Sequence, residues 1–285
     1  FHKVLIGSAM AGSLEPPRFI ANCSVACDAN NITFKWLANK LGSPHFYVDV
    51  PYEYSEDACA YVADQLRELA GQLEQAYGRT LDEERLRAHV ARSQETLDAL
   101  VRGLPLRRGR FLHNDMGLEM QQALAAHIAL GTPDTLDMAR QQLDDLARAE
   151  RYQGLSLAWM HTAPFFSASL QKLVDYNQRA QIVVSDMCFD QVSLEGWGLR
   201  DGEWRHDGST PAWAHTADEP WEAMAERLIK NVFNGPGERR VERVRRIAQA
   251  AGADGVVCFC HWGCKETMGI SQLAKRELEN AGIPT

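Results

Sequence analysis

The stretch Asp254-Gly255-Val256-Val257-Cys258-Phe259-Cys260 decides the fold class. It is a short apolar run of the kind that forms a buried strand. The chain then turns at Gly263 and continues into a helical pattern from Thr267 to Asn280. A strand that leads directly into a helix is the repeating unit of parallel α/β sheets. This stretch therefore predicts an α/β fold.

The alternation extends over residues 151–285, which are predicted to form one α/β domain. Further strands are predicted from their apolar runs, and the helices from their apolar spacing. The additional strands are Leu155–Trp159 and Ala180–Ser185. The additional helices are Ser167–Tyr176, 220–233 and 238–251.

Residues 1–54 carry a second, shorter α/β pattern. Its strands are predicted at Phe1–Gly7, Arg18–Asn22 and His45–Val50, and its helix at Thr33–Leu41. Residues 55–150 are helical throughout, with apolar residues at three- and four-residue spacing, and are interpreted as a structural connector. The sequence thus predicts two parallel-sheet domains with a helical region between them.

Composition and charge narrow the class of protein. The chain has 285 residues, 45% of them hydrophobic, which is enough to build a core and excludes a wholly disordered chain. Its net charge of -8 argues against a general nucleic-acid binder. No apolar run approaches the ~18 residues of a membrane span. The chain also lacks a dinucleotide-binding G-x-G-x-x-G and a phosphate-binding loop, which argues against a nicotinamide enzyme and an ATPase.

The chain contains seven cysteines, an odd number that argues against a disulfide framework. Metal or cluster ligation, or burial as small apolar side chains, are the alternatives. Cys27 and Cys264 lie on predicted strand-to-helix turns, one in each α/β part. Ligands bind at the carboxyl ends of parallel strands, and a helix N-terminus stabilises an anionic thiolate. The two positions therefore predict an inter-domain cluster site, with buried thiols as the alternative.

Three other residues follow predicted strands. Cys23 and Cys188 lie at strand ends and are reserve ligands for the same site. His261 precedes Cys264 by three residues and is interpreted either as an acid/base group or as a residue that caps the turn. The sequence alone does not separate these two roles of His261.

The remaining cysteines and an arginine cluster have structural interpretations. Cys59, Cys258 and Cys260 lie among apolar residues and are predicted to pack in the core. The arginines are either contacts for the phosphates of a nucleotide-like ligand or, more commonly, a solvated helix face. They are Arg239, Arg240, Arg243, Arg245 and Arg246.

At these residues the sequence resembles the 2-hydroxyacyl-CoA dehydratase family. This family also contains the benzoyl-CoA reductase subunits and the D-component of 2-hydroxyglutaryl-CoA dehydratase. The similar segments are short, but they occur in the same order along nearly the whole chain. They are Cys27-Asp28, Leu41–Pro44, Val48–Tyr52, Asp254–Val257, His261–Cys264 and Ala281–Pro284.

The resemblance implies two Rossmann-like α/β domains and a [4Fe-4S] cluster held by three cysteines of one subunit. By position, Cys27 and Cys264 match two of these ligands. The family's first ligand would fall before Phe1, and the family sequence continues past Pro284. We therefore expect a fragment cut at both ends, and we do not expect a fragment without that ligand to be active.

The resemblance also implies the reaction and the partners. Members remove water from a 2-hydroxyacyl-CoA substrate through a ketyl radical, in the cytoplasm and beside a paralogous subunit. A separate ATP-dependent iron-sulfur activator protein supplies the first electron. Two alternatives stay open, a benzoyl-CoA reductase-type subunit and a non-catalytic electron-relay homologue. The sequence implies neither a nucleic-acid nor a membrane partner.

Overall fold

The computed structural model describes residues 2–25 and 27–285, without the side chains of residues 119, 120, 123, 124 and 126. The described residues form ten α-helices and seven strands. The helices are α1 (His2–Met10), α2 (Asp28–Leu41), α3 (Glu56–Tyr77), α4 (Glu83–Gly103), α5 (Met116–Ile128), α6 (Pro133–Arg148), α7 (Ala168–Val174), α8 (Pro220–Ile229), α9 (Gly237–Ala251) and α10 (Lys265–Asn280). The strands are β1 (Ile20–Cys23), β2 (His45–Val48), β3 (Leu155–Met160), β4 (Ala180–Ser185), β5 (Trp197–Arg200), β6 (Glu203–His206) and β7 (Gly255–Cys258).

The strands form two parallel sheets and one antiparallel hairpin. Strands β1 and β2 pair in parallel, and β3 lies between β4 and β7 in a three-stranded parallel sheet. Strands β5 and β6 form the hairpin. The predicted mixed α/β fold with parallel sheets is confirmed. The division into two Rossmann-like domains stays a prediction.

The chain divides into two compact units, and each contains one parallel sheet. The first unit comprises residues 1–87 and 217–235, and the second comprises 88–216 and 236–285. Each unit thus combines segments that are distant in the chain. The predicted domains 1–54 and 151–285 and the helical region 55–150 follow chain order and stay a prediction.

In the second unit, helices cover the central sheet because its strands are apolar on their buried faces. The core combines Val183, Val184 and Val256 from the strands with Ile247 of α9 and Leu278 of α10. Each of these side chains is at most 4% exposed. Burial of a side chain of this size contributes about 1.5–3 kcal/mol, so this core fixes the strand ends that carry the polar residues described below.

The first unit is built around β1 and β2. Val48 and Val50 pack with Val62 of α3 and Ile229 of α8. Helix α3 begins after Ser55, whose side chain accepts a hydrogen bond from the Ala58 N–H, as expected of an N-cap serine. These contacts bring the distant segment 217–235 into the first unit.

The strand predicted at Phe1–Gly7 is wrong for the described residues, because His2–Met10 forms helix α1. Phe1 itself lies outside the described residues. Ala9 is buried and Leu5 is partly buried against Leu37 of α2. A short apolar run fits a buried strand and a buried helix turn equally well, and here packing against α2 selects the helix.

Two helices begin earlier than the sequence predicts. Helix α2 begins at Asp28, directly after Cys27, and α10 begins at Lys265, directly after Cys264. Both cysteines therefore occupy N-cap positions. Among the described residues, no helix combines the length and apolarity needed to cross a membrane.

Candidate metal centre

Three parallel strands of the second unit end at the same edge of the sheet, and polar residues follow each of them. His161 follows β3, Asp186 follows β4, and Cys258 is the last residue of β7. Open α/β sheets bind ligands at this edge, because the strands end there and the following loops diverge. The loops that follow the three strands therefore bring these polar residues to the ligand-binding edge of the sheet.

Cys264 lies at this edge as the N-cap residue of α10. Its backbone is extended, with φ -102° and ψ 105°, and its side chain makes no capping hydrogen bond. The backbone N–H of Cys264 donates to the carbonyl of His261 at 3.0 Å, and its own carbonyl accepts from Met268 N–H at 3.1 Å. The turn thus holds the backbone and leaves the half-buried thiol available as a ligand.

His161, Cys264 and Glu266 bring a nitrogen, a sulfur and an oxygen donor together. One ligand atom from each lies within 4.8 Å of the others, and all three residues are partly buried. Imidazole, thiolate and carboxylate are the protein ligands of zinc and of other first-row transition metals. The group therefore has the chemistry of a metal site.

The imidazole of His161 is unusual in three ways. Its backbone has φ of 80°, a conformation that few residues other than glycine adopt. Its Nδ1 is buried and has no hydrogen-bond partner among the described residues. Burial, followed by the charge of Arg240, lowers the pKa of His161 to about 4. The ring is therefore neutral near pH 7 and presents a lone pair to a ligand.

A buried ion-pair network supports this group. The Oδ2 atom of Asp186 accepts from Arg240 Nη2 at 2.6 Å and from Nε at 2.8 Å, and both side chains are 1% exposed. Arg240 also pairs with Glu266. Burial acts against the charged guanidinium, but the two carboxylates outweigh it and raise the pKa of Arg240. The network keeps Arg240 charged and orients Glu266.

The other thiols of the second unit lie in different environments. Cys258 and Cys260 are half-buried rather than fully in the core, and their Sγ atoms are 3.8 Å apart. Burial and the neighbouring Cys260 raise the pKa of Cys258. Cys188, a reserve ligand candidate, is 6% exposed and belongs to a short 3-10 helix after β4.

The first unit contains the other candidate cysteines. Cys27 is the N-cap residue of α2, and its Sγ lies 4.0 Å from His2 Nε2. Cys23 ends β1 and is half-buried, and this burial raises its pKa. Cys59 is 1% exposed in the core, as predicted.

His261 is exposed, and its Nδ1 accepts the backbone N–H of Gly263 at 3.2 Å. This contact agrees with the turn-capping interpretation of His261. Its role as an acid/base group stays a prediction. Trp262, the next residue, is 96% exposed and so makes little contact with the second unit.

Sequence reasoning missed His161, Asp186, Arg240 and Glu266. For His161 a signal existed, because it follows a predicted strand just as Cys27 and Cys264 do. Arg240 and Glu266 lie on helices, and only the folded structure brings them together.

Three arginines of the α9 cluster, Arg240, Arg243 and Arg246, bind other parts of the protein, whereas Arg245 lies on the solvated helix face. Arg240 forms the buried ion pairs described above, and Arg245 pairs with Glu242 on the surface. Arg243 Nη1 donates to two backbone carbonyls of the segment 189–197, and Arg246 Nη2 donates to two more. These guanidinium groups therefore hold a loop of the protein.

A cavity of about 580 Å³ lies elsewhere in the second unit. Arg107, His113 and Asn114 line it together with side chains of α5 and α6. His161, Cys264 and Glu266 are not among its described lining residues.

The fold and the site define an α/β protein with metal-ligating side chains at the carboxyl ends of its parallel strands. The family model for 2-hydroxyglutaryl-CoA dehydratase, D-component, matches residues 1–285, so the chain belongs to this family. No curated protein matches the chain. The family resemblance seen in the sequence is therefore confirmed, and the family is one of dehydratases, which are lyases.

The family is generally associated with iron-sulfur clusters. Cys264 offers an N-cap thiol with no capping hydrogen bond, and a nitrogen and an oxygen donor lie within 4.8 Å of it. These donors fit the ligation of iron at Cys264.

Proposed function

We propose that this protein is a subunit of an iron-sulfur 2-hydroxyacyl-CoA dehydratase, which removes water from a 2-hydroxyacyl thioester. The family match over the whole chain carries this proposal. The thiol of Cys264 at the carboxyl edge of the sheet supports it, because a thiol is the expected protein ligand of an iron-sulfur cluster.

The proposed ligands of a [4Fe-4S] cluster are Cys27 and Cys264, with Cys23 and Cys188 in reserve. Both main candidates lie at helix N-caps, and neither side chain makes a capping hydrogen bond. Cys188 is the weakest of the four because it is 6% exposed. When bound, the cluster supplies a single electron. These cysteines would hold its iron, and Arg240 pairs with both Asp186 and Glu266, the latter of which lies close to Cys264 in the chain.

The substrate itself explains why an electron is needed. The β-hydrogen of a 2-hydroxyacyl thioester is not acidic, so direct loss of water is slow. One electron added to the thioester carbonyl gives a ketyl radical anion, which expels the adjacent hydroxyl. The β-hydrogen of the product radical is then acidic, and its loss allows the electron to be returned. His261 is the proposed acid/base group, because its imidazole is exposed beside Cys264.

The proposal includes two protein partners in the cytoplasm. A paralogous subunit forms a heterodimer with this chain, and an ATP-dependent iron-sulfur activator delivers the first electron. The lack of a phosphate-binding loop in this sequence supports a separate ATP-hydrolysing protein.

Anaerobic purification of the full-length protein with its partner subunit tests this function. We expect bound iron and sulfide, and ATP-dependent dehydration of a 2-hydroxyacyl-CoA when the activator is added. An iron content of fewer than about two atoms per chain after reconstitution would contradict the presence of a cluster. Iron and sulfide with net reduction of benzoyl-CoA indicates a reductase-type subunit instead. A cluster without turnover of either substrate indicates an electron-relay protein.

A further inference from the structure

We propose that Cys258 and Cys260 form a reversible disulfide when the protein meets an oxidant of the low-molecular-weight disulfide class. Only Phe259 separates the two cysteines in the chain, and their Sγ atoms lie 3.8 Å apart. Formation of this bond needs neither a cluster nor a second subunit, so it is an oxidative modification distinct from the dehydratase function. The pair thus gives a role to two cysteines that the sequence predicts only as core residues.

The alternation of side chains along β7 places both thiols on one side of the chain. In an extended segment, side chains two residues apart point to the same face. Cys258 packs against the core formed with α9 and α10, whereas Phe259 packs on the opposite side with Trp159. Cys260 continues the first face, and its Sγ lies 3.8 Å from the carbonyl oxygen of Thr267 in α10. The strand therefore directs the two sulfurs toward the same space.

The bond requires rotation of the two side chains and a slight contraction of the backbone. A disulfide has an S–S length of about 2.0 Å and Cα atoms about 4.4–6.8 Å apart. Two residues of extended chain advance about 6.6 Å, so the Cα atoms of such a pair lie near the upper limit of that range. The bond therefore closes a short and strained ring. Strained disulfides are more easily reduced than relaxed ones, and they are the labile and regulatory ones.

The exchange with oxidised glutathione proceeds in two balanced steps. The Cys260 thiolate attacks one sulfur of the oxidant, which gives a mixed disulfide and releases one glutathione thiolate. Cys258 then loses its proton to water and attacks the Sγ atom of Cys260, which releases the second glutathione. Two electrons pass from the cysteine pair to the oxidant, and the reverse reaction restores both thiols.

The order of these steps follows from the surroundings of the two thiols. Cys260 directly precedes residues 261–263, all of which are exposed, so the oxidant reaches its thiol from the solvent. Burial, followed by the neighbouring Cys260, raises the pKa of Cys258. Because the thiolate is the nucleophile, Cys258 reacts slowly with an external oxidant and serves as the resolving thiol.

Equilibration of the full-length protein in anaerobic glutathione buffers tests the pair. After acid quenching and alkylation, trypsin releases residues 247–265 as one peptide that contains Cys258, Cys260 and Cys264. We expect this peptide to carry an alkyl group at Cys264 alone, and we expect dithiothreitol treatment before alkylation to restore labelling of all its cysteines. Mass spectrometry of the peptide measures both states.

The dependence on glutathione concentration separates this disulfide from a mixed one. At a fixed ratio of oxidised to reduced glutathione, dilution of both forms by a factor of about ten should raise the ratio of disulfide to dithiol about ten-fold, because each bond formed releases two thiols. The amount of a mixed disulfide with glutathione would not change on the same dilution. A modification that does not respond to dilution therefore overturns the inference.

Serine variants identify the partners, since serine is close to cysteine in size and should keep the fold. Cys258→Ser and Cys260→Ser should each abolish the intramolecular disulfide, whereas Cys264→Ser should retain it. Cys188→Ser is the matched control, because Cys188 is a buried thiol of the same unit outside the pair. A wild-type peptide that stays fully alkylated at the most oxidising ratio overturns the inference, and so does a disulfide that persists in Cys258→Ser.

Discussion

The carboxylate of Asp186 accepts a hydrogen bond from the backbone N–H of His161 at 2.7 Å. This contact joins the ends of two neighbouring parallel strands, β4 and β3. The other oxygen of the same carboxylate pairs with Arg240, whose side chain is also buried. One buried carboxylate therefore maintains both a strained backbone and a buried charge, and its removal should affect stability strongly.

Asp186→Asn keeps an oxygen for the His161 N–H but removes the charge that balances Arg240. Loss of one partner of a buried ion pair costs about 3–5 kcal/mol, because the other charge remains buried. Glu266 still pairs with Arg240, so the lower end of that range is expected. Urea denaturation followed by circular dichroism measures the free energy of unfolding.

The exposed pair of Glu242 and Arg245, 2.6 Å apart, provides the control for that variant. Solvent screens this pair, so Glu242→Gln should change the free energy of unfolding by about 1 kcal/mol or less. If Asp186→Asn and Glu242→Gln lower the free energy of unfolding by equal amounts, the buried network contributes no more to stability than the exposed pair does.

Arg243 and Arg246 should control the order of the loop between β4 and β5. Arg243 donates to the carbonyls of Phe189 and Val192 at 2.9 and 2.6 Å. Arg243→Met keeps much of the side-chain volume but leaves these buried carbonyls without their donor, which costs about 1–3 kcal/mol. We expect faster amide hydrogen exchange in residues 189–197, measured by mass spectrometry.

Arg245→Met is the matched control on the same helix, because Arg245 pairs only with residues of α9 in the described contacts. In the Arg245→Met variant, the rate of amide hydrogen exchange in residues 189–197 should equal that of the wild type. A loop that exchanges at the wild-type rate in Arg243→Met would refute the structural role given to this arginine.

The parallel sheets were predictable because their strands are apolar runs ended by glycine, proline or polar residues. The strand Gly255–Cys258 lies within the predicted one, and the strand Ala180–Ser185 has the predicted bounds. The first strand prediction failed at His2–Met10 because four apolar residues carry no period long enough to separate strand from helix. Its partner α2 decides the conformation, and that contact is tertiary.

The composition of the two units depends on contacts that no local pattern contains. Helix α8 joins the first unit because Ile229 packs with Val62 and Ala63 of α3. These residues are separated by more than half of the chain. In the same way, the position of Cys264 on a strand-to-helix turn was predictable, whereas the pairing of Glu266 with Arg240 is a tertiary contact.

The proposed cluster ligands predict a clear difference between cysteine variants. Cys27→Ala and Cys264→Ala should abolish cluster binding in the full-length protein, because each removes a thiolate ligand of iron. Cys59→Ala should retain the cluster, because Cys59 is 1% exposed in a core and its Sγ donates to the carbonyl of Glu222. Iron and sulfide analysis after anaerobic reconstitution measures the occupancy. Equal occupancy in all three variants would show that the ligand assignment is wrong.

Thiol labelling should separate Cys59 and Cys258 from an ordinary cysteine. Burial, followed by the charge of Glu226, raises the pKa of Cys59 to about 11, from an ordinary value of 9.0. Burial and the adjacent Cys260 raise the pKa of Cys258. A raised pKa keeps each thiol protonated to higher pH, and only the thiolate reacts with iodoacetamide.

At pH 8 the shift of Cys59 reduces its thiolate fraction roughly 100-fold relative to the unfolded chain. Cys59 and Cys258 should therefore label at least ten-fold more slowly in the native metal-free protein than in urea. The native rate should rise with each step from pH 8 to pH 10, since the thiolate fraction grows while the pH stays below the pKa. Mass spectrometry of the labelled peptides measures both rates. Identical rates in the native and unfolded protein would mean that burial does not protect these thiols.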